Sequence, residues 1–375
     1  MSRSSLDNKP VTIIGGGVAG LSAGLAMARR GAEVSLFERA EALREVGAGL
    51  QISPNAGRVL EHLGLGPALD AVSLRMAGVV LHDHRARPVA HLPLARHRPG
   101  DAFRVIHRAR LIEVLARAAE EAGVSITLNT ELTDPPPGLV IGAEGLRSPT
   151  RIALNGAAQP FFTGQTAWRA VIADERPDDL VLVFMGAGRH LVSYPLAHGL
   201  RNIVAVVERA EWQAEGWSHE DDPQNLRDAF AGFGGPVPDW LARVDQVSIW
   251  GLFRHEVARR WQDGQRAILG DAAHPTLPFM AQGAVMAIED AWTLAACLDA
   301  LPDQAAALAR YETLRRDRCT RIVAAANANA RNYHLSGPRR IIGHAGLRTI
   351  SRFAPTALMS RFDWIYDYDP IKSAP

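Results

Sequence analysis

The chain has 375 residues, enough for two lobes at the usual ~100–200 residues per domain. Its 41 basic and 40 acidic residues leave a net charge of +1, which gives no electrostatic basis for binding nucleic acid or an anionic membrane surface. Hydrophobic content of 47% is ordinary for a globular protein, and no apolar run approaches the ~18–20 residues of a membrane span.

Residues 1–10 hold no apolar segment of secretory type, so a cytoplasmic protein is expected. Every basic residue except Lys9 and Lys372 is arginine, and the arginines are scattered, which reads as composition rather than as a site. Cys297 and Cys319 fall in predicted helix without zinc-type spacing, so two free thiols and no metal centre are expected.

In chain order, a short apolar run from Val11 to Ile14 predicts a strand, Val18 to Arg30 a helix, and Val34 to Phe37 a second strand. Between the first two lies Gly15-Gly16-Gly17-Val18-Ala19-Gly20, a G-x-G-x-x-G turn. An acidic residue, Glu38, closes the second strand, about 20 residues on, where a dinucleotide ribose is bound. Gly15 suits the tight turn, Gly17 the approach of pyrophosphate, and Gly20 the packing of helix on strand. The helix N-terminus offers free amides and a positive dipole to phosphate. An overlapping Gly20-Leu21-Ser22-Ala23-Gly24 matches the hydrolase nucleophile elbow, but its serine lies inside the helix rather than at the turn.

Short β-like runs follow at Gly78–Leu81 and Pro88–Leu94, then a helix over Leu111–Ala122 and strands at Val124–Leu128 and Leu139–Ile141. From about 160 to 257 the runs Leu180–Phe184, His190–Pro195 and Ile203–Glu208 predict antiparallel strands of a second lobe, with a helix over Asn225–Phe233. The α/β texture returns at Arg266–Gly270 and continues as helix to about 298 and from 305 to 330. A cluster of His82, Asp83, His84, His91 and His97 has no metal-ligand spacing and reads as a polar strand face.

Three motifs in this order resemble the group A flavoprotein monooxygenases, in particular the salicylate and hydroxybenzoate hydroxylase branch. They are the glycine turn with Glu38, the segment Gly142-Ala-Glu-Gly-Leu-Arg-Ser-Pro-Thr-Arg151, and Gly270-Asp-Ala-Ala-His-Pro275 with Pro278 and Ala281-Gln-Gly-Ala284 after it. Gly47–Asn55 and Ile106–Arg110 are similar to two further family segments.

The resemblance covers nearly the whole chain. It implies an α/β fold, with a Rossmann-like FAD-binding lobe (1–75, 104–158, 260–330) and a mainly antiparallel substrate lobe (76–103, 159–259). The tail, 331–375, is expected to pack on the FAD lobe, with Asp363 and nearby aromatics docking it. Gly15, Gly17, Ala19, Gly20, Glu38, Arg39, Arg44, Arg108, Glu144, Gly270, Asp271, Pro278, Gln282, Gly283 and Ala284 are then the expected FAD contacts. Asp271 would accept from ribityl hydroxyls, and the helix after Gln282 would face the flavin pyrimidine.

Such enzymes take electrons from NADH or NADPH and form a flavin C4a-hydroperoxide with O2. That species hydroxylates an electron-rich ring. The expected substrate is a small phenolic or heteroaromatic acid of salicylate type. A larger ring such as a quinone precursor, or a non-catalytic FAD-binding redox role, are the alternatives. His190 is the expected base for phenol deprotonation; Tyr194, Gln51, Pro278 and Phe279 are expected to line the pocket. A monomer or homodimer is expected. Two features depart from the family: Glu144 stands where it has Asp, and Thr133–Gly138 replaces extra strands.

Overall fold

The computed structural model describes residues 4–43, 49–175, 177–212 and 219–375. The first predicted βαβ unit forms as strand Pro10–Ile14, helix Val18–Ala28 and strand Glu33–Phe37. The helix is buried along almost its whole length, so it is apolar all round rather than amphipathic.

These strands sit in a five-stranded parallel sheet ordered Arg266–Ile268, Leu139–Gly142, Pro10–Ile14, Glu33–Phe37, Ser125–Thr127. The register places Ile14 beside both Phe37 and Gly142, and Gly142 beside Ile268. All three family motifs therefore leave the sheet at the same carboxyl edge, where open α/β sheets bind ligands. Residues 128–138 run directly between Ser125–Thr127 and Leu139–Gly142 without a strand.

The second lobe is an eight-stranded sheet. It is antiparallel except where Leu180–Gly186 runs parallel to Gly78–Asp83. Both faces are buried, so alternate residues serve two different interiors. Trp168, Phe184, Leu191, Ile203 and Ala205 turn to the far face, where they pack with Phe230, Val237 and Trp240. Arg169, Val183, Met185, His190, Val192, Val204 and Val206 turn to the near face and line a cavity.

The tail, 331–375, is not confined to the first lobe, where it is expected from the sequence. Helix Gly337–Phe353 lies along the edge strand Pro88–Leu92: His91 N donates to Ser351 Oγ at 2.9 Å and Arg348 Nε to the Pro88 carbonyl at 3.0 Å. Leu358 and Met359 join an apolar cluster with Met76, Ala90 and Leu196 of the second lobe. Only the last residues cross to the first lobe, where Arg58 donates to the Tyr366 carbonyl at 2.7 Å and Ile371 meets its core. The apolar side chains of the tail hold it there, with Leu347 packed against the same cluster. Asp363 does dock it, pairing with His97 at 3.3 Å and with Arg98.

Candidate active site

One cavity of about 1270 Å³ runs between the lobes. It exceeds the ~300–1,000 Å³ of a typical single-ligand pocket, so it accommodates a cofactor and a second molecule. Its first end is built on the glycine turn. A Cβ on Gly15, whose φ is +108°, would lie 2.4 Å from the Ala143 carbonyl oxygen, and one on Gly20 would lie 1.9 Å from the Gly15 carbonyl oxygen. Both residues must be glycine for loop, helix and the neighbouring motif to close up this far. Gly15, Gly17, Glu38 and Arg39 line the cavity. The Glu38 carboxylate also braces the turn, accepting from Gly16 N at 2.6 Å and from Ala40 N at 2.9 Å. Ala19, Gly20 and Gly270, also expected as contacts, do not line the cavity; a Cβ on Gly270 would lie 3.0 Å from the Ala19 methyl. Arg44 lies outside the described residues.

Midway, Arg108 and Asp271 face the cavity together. Burial, reinforced by the nearby Arg169 cation and opposed by Asp271, draws Arg108 down to about 10. Burial raises Asp271 above the usual carboxylate range, against the pull of His274 and Arg108. A partly desolvated carboxylate of this kind gains most from hydroxyl donors brought by a ligand. Pro278, Phe279, Gly283 and Ala284 continue the wall. Gln282 does not: its side chain turns inward, donating to Ser53 Oγ at 3.0 Å and accepting from Asn55 at 3.3 Å. Glu144 reaches the cavity but is held internally, accepting from Ser148 Oγ at 2.6 Å and from the Thr150 hydroxyl. In this chain the longer side chain braces the turn into helix Pro149–Asn155.

The far end is the near face of the large sheet. His190, Tyr194, Gln51 and Phe279 all reach it. Tyr194 hydrogen-bonds Gln51, and burial raises its hydroxyl well above its ordinary pKa despite Arg169 and that bond. His190 lies between the rings of Phe279 and Tyr333, with centroids 5.2 and 5.1 Å away. Burial, with the adjacent His334, holds it well below the usual imidazole value, so it is neutral at pH 7.

The sequence reading missed Arg169, which enters the same space stacked on Trp250 at 4.6 Å, its Nε without a hydrogen-bond partner. The strand alternation that buries Trp168 on one face puts Arg169 on the other, and that signal was available in the sequence. Tyr333 and His334, at the end of helix Gln304–Tyr333, carried no such signal.

A buried ionic cluster behind Asp271 was also missed. Asp290 accepts from His274 Nε2 at 2.5 Å and Arg315 Nε at 2.7 Å; Glu289 pairs with Arg315 at 2.6 Å and Arg318 at 2.8 Å. The side chains of His274, Glu289, Asp290 and Arg315 are fully buried. His274, Asp290 and Cys319 present ligand-type atoms within 4.8 Å of one another, but Arg315 already donates to Asp290 and Cys319, and His274 bonds Asp290. The cluster of 82–97 does not form the single polar strand face expected: His82 and His84 pack on the rings of Phe184 and Phe233, Asp83 pairs with Arg348, and His97, in the short helix Leu94–His97, pairs with Asp363.

Comparison with known proteins decides what this cleft belongs to. An FAD-binding domain family matches residues 8–135 and 137–326. The chain belongs to the FAD-binding monooxygenase family. This monooxygenase is 33% identical to the 3-amino-4-hydroxybenzoate 2-monooxygenase of Streptomyces platensis over 98% of both chains. It is 30% identical to 3-hydroxybenzoate 6-hydroxylase 1 of Aquipseudomonas alcaligenes, over 96% of this chain and 98% of the other. A salicylate hydroxylase in complex with its substrate shares the fold, with a TM-score of 0.80 at 23% identity over 98% and 97% of the two chains.

The monooxygenase's cleft fits FAD at three observed points: the glycine cradle, the cavity-facing Arg108 and Asp271, and the start of helix Gly283–Ala300. Asp271→Ala is expected to weaken FAD retention about tenfold or more, the value of one hydrogen bond to a charged group. Flavin absorbance after gel filtration measures it, and unchanged occupancy would remove Asp271 from the FAD contacts.

Proposed function

We propose that this monooxygenase hydroxylates a small phenolic acid, using O2 and electrons from NADH or NADPH. The carrying observation is the grouping of a cation, a neutral imidazole and an apolar wall at one end of the cavity: Arg169, His190, and Val183, Met185, Val192, Val204 and Val206. Arg169 supplies a fixed charge for a ring carboxylate. His190 takes the phenol proton, and Tyr194 with Gln51 orients the hydroxyl. The valines and Met185 hold the ring and keep water away from it. Glu38, Arg39, Arg108 and Asp271 hold the cofactor, which when bound carries electrons from the nicotinamide to O2. The names of the two relatives above, a 3-amino-4-hydroxybenzoate monooxygenase and a 3-hydroxybenzoate hydroxylase, support the same class of substrate.

A second reading, a larger ring, is favoured by one observation: the cavity continues past Leu92 and Phe103 to Leu358 and Phe362 of the tail. The test is O2-dependent NADH oxidation by FAD-loaded enzyme, with product analysis, across hydroxybenzoates, aminohydroxybenzoates and uncharged phenols. Hydroxylated product from the acids carries the proposal; peroxide alone from all of them, or product only from bulkier neutral rings, removes it. In the same panel Arg169→Met is expected to raise KM for the acids about 10- to 100-fold, the cost of a charge-assisted hydrogen bond, and to leave uncharged phenols unaffected.

A further inference from the structure

His190 is not isolated. Its Nδ1 lies 2.7 Å from Nε2 of His334, and His334 Nδ1 lies 2.9 Å from a carboxylate oxygen of Glu208. The His190 and His334 side chains are buried, whereas the Glu208 side chain is 56% exposed. We propose that His190, His334 and Glu208 form a proton relay joining the substrate end of the cavity to bulk water. The relay rests on the reading of His190 as the base that deprotonates the substrate.

The chain fixes its own tautomers. A carboxylate only accepts, so Glu208 holds the proton of His334 on Nδ1. Neutral His334 then offers Nε2 as an acceptor, which holds the proton of His190 on Nδ1. The lone pair of His190 is left on Nε2, the nitrogen available to a ligand in the cavity. Three backbones keep the order: Glu208 N donates to the Gly188 carbonyl at 2.8 Å, and Gly188 N donates to the His334 carbonyl at 3.3 Å.

The surroundings make an exit necessary. His190 pairs across the sheet with the apolar Met185 and Val206, and Phe279 and Tyr333 flank its ring. The titratable groups facing it are His334, Tyr333 and, along the cavity, Tyr194 and Arg169; the neighbouring Arg189 is turned to the Ala229 carbonyl. None of these except His334 gives a proton a way out. Burial and His334 both disfavour an imidazolium at His190, so a base confined there would hold its proton poorly.

The relay removes that cost. The ring O–H bond breaks and its proton bonds to His190 Nε2. The Nδ1 proton of His190 passes to His334 Nε2, and the Nδ1 proton of His334 passes to Glu208 and then to water. The ring is left as phenolate, one proton is in solution, and both imidazoles are neutral in the opposite tautomer. Passage in reverse restores them when the product phenol forms.

The test uses FAD-loaded enzyme and 4-hydroxy-3-nitrobenzoate, a probe whose phenol and phenolate differ in colour. Stopped-flow mixing at a pH where the free probe is largely phenol, with a pH indicator in weak buffer, follows phenolate formation and proton release together. Glu208→Gln keeps an acceptor for His334 but has no carboxylate to take the proton; lying at the surface, it is the variant most certain to fold. It and His334→Gln are expected to slow both signals at least tenfold at unchanged probe affinity, with added imidazole buffer restoring the rate. His190→Asn is expected to abolish phenolate formation. Wild-type rates in Glu208→Gln and His334→Gln, with His190→Asn impaired, overturn the relay and leave the base. A wild-type signal in His190→Asn overturns both. Slowing that comes with lost probe affinity and no rescue assigns His334 and Glu208 a structural part only and also overturns the relay.

Discussion

Replacing His190 with Asn is expected to lower turnover about 10²- to 10⁴-fold, the usual contribution of a positioned general base. The size follows from the position. The imidazole sits within the wall of the cavity, neutral because burial and then His334 pull its pKa well below 6.5. Its sign against pH is fixed by that shift. The base form is present above the lowered pKa, so the wild-type rate stays level through neutrality and falls only as acid protonates the imidazole. Without it, the ring must ionise by itself, and the rate should climb with pH toward the ~10 of an ordinary phenol. Steady-state kcat from pH 5 to 9.5 measures the difference, and a variant profile that overlays the wild type would retire His190 as base. FAD occupancy should be unchanged, since His190 stands at the sheet end of the cavity and the glycine cradle at the other.

Arg315→Met is expected to cost about 3–5 kcal/mol of stability, the penalty for stripping the partner from buried charges. Arg315 is the one cation bonded to both Glu289 and Asp290 among the described residues, and all three side chains are fully buried. Arg318 would still hold Glu289 and His274 would still hold Asp290, so the fold should survive in weakened form. The same cluster sets a pH window. Burial opposes the charge on Asp290, but His274 and Arg315 outweigh it and hold the carboxyl at about 2. A depressed carboxylate stabilises fully above its unfolded value of ~3.9, and that contribution is lost as pH falls from there through about 2. For His274, burial is outweighed by Cys319 and Asp290, which raise it well above 6.5. Its contribution is therefore complete below the unfolded value of ~6.5 and disappears only as pH rises through the raised one. Urea midpoints between pH 5 and 2 should fall toward acid in the wild type and less steeply in Arg315→Met. Equal slopes would show that the cluster does not govern acid stability.

Local chemistry made the first lobe legible. A strand, three glycines, a helix and Glu38 are adjacent in the chain, and each has a meaning that needs no partner from elsewhere. Asp271 was readable for the same reason, since a carboxylate after a short apolar strand has one place to be in a parallel sheet. The alternation along Phe161–Ala173 even contained Arg169, but only a sheet buried on both faces turns that residue from a surface charge into a cavity cation.

Side chains that meet across long separations were decided by tertiary structure alone. Gln282 reads as a cofactor contact in its motif, yet it hydrogen-bonds Ser53 and Asn55, more than 200 positions earlier. The tail composition suggested docking but not where, because its destination depends on which apolar surface the other elements leave bare. His334 acquires meaning only from His190 and Glu208, brought to it by two strands and the end of a long helix. The sequence by itself determined the cofactor lobe and the class of chemistry, because nucleotide binding is written in backbone-dictating residues at short range. The tertiary structure decided the substrate end, because hydrogen bonds and charge pairs form between neighbours in space, and periodicity specifies only which face a residue takes.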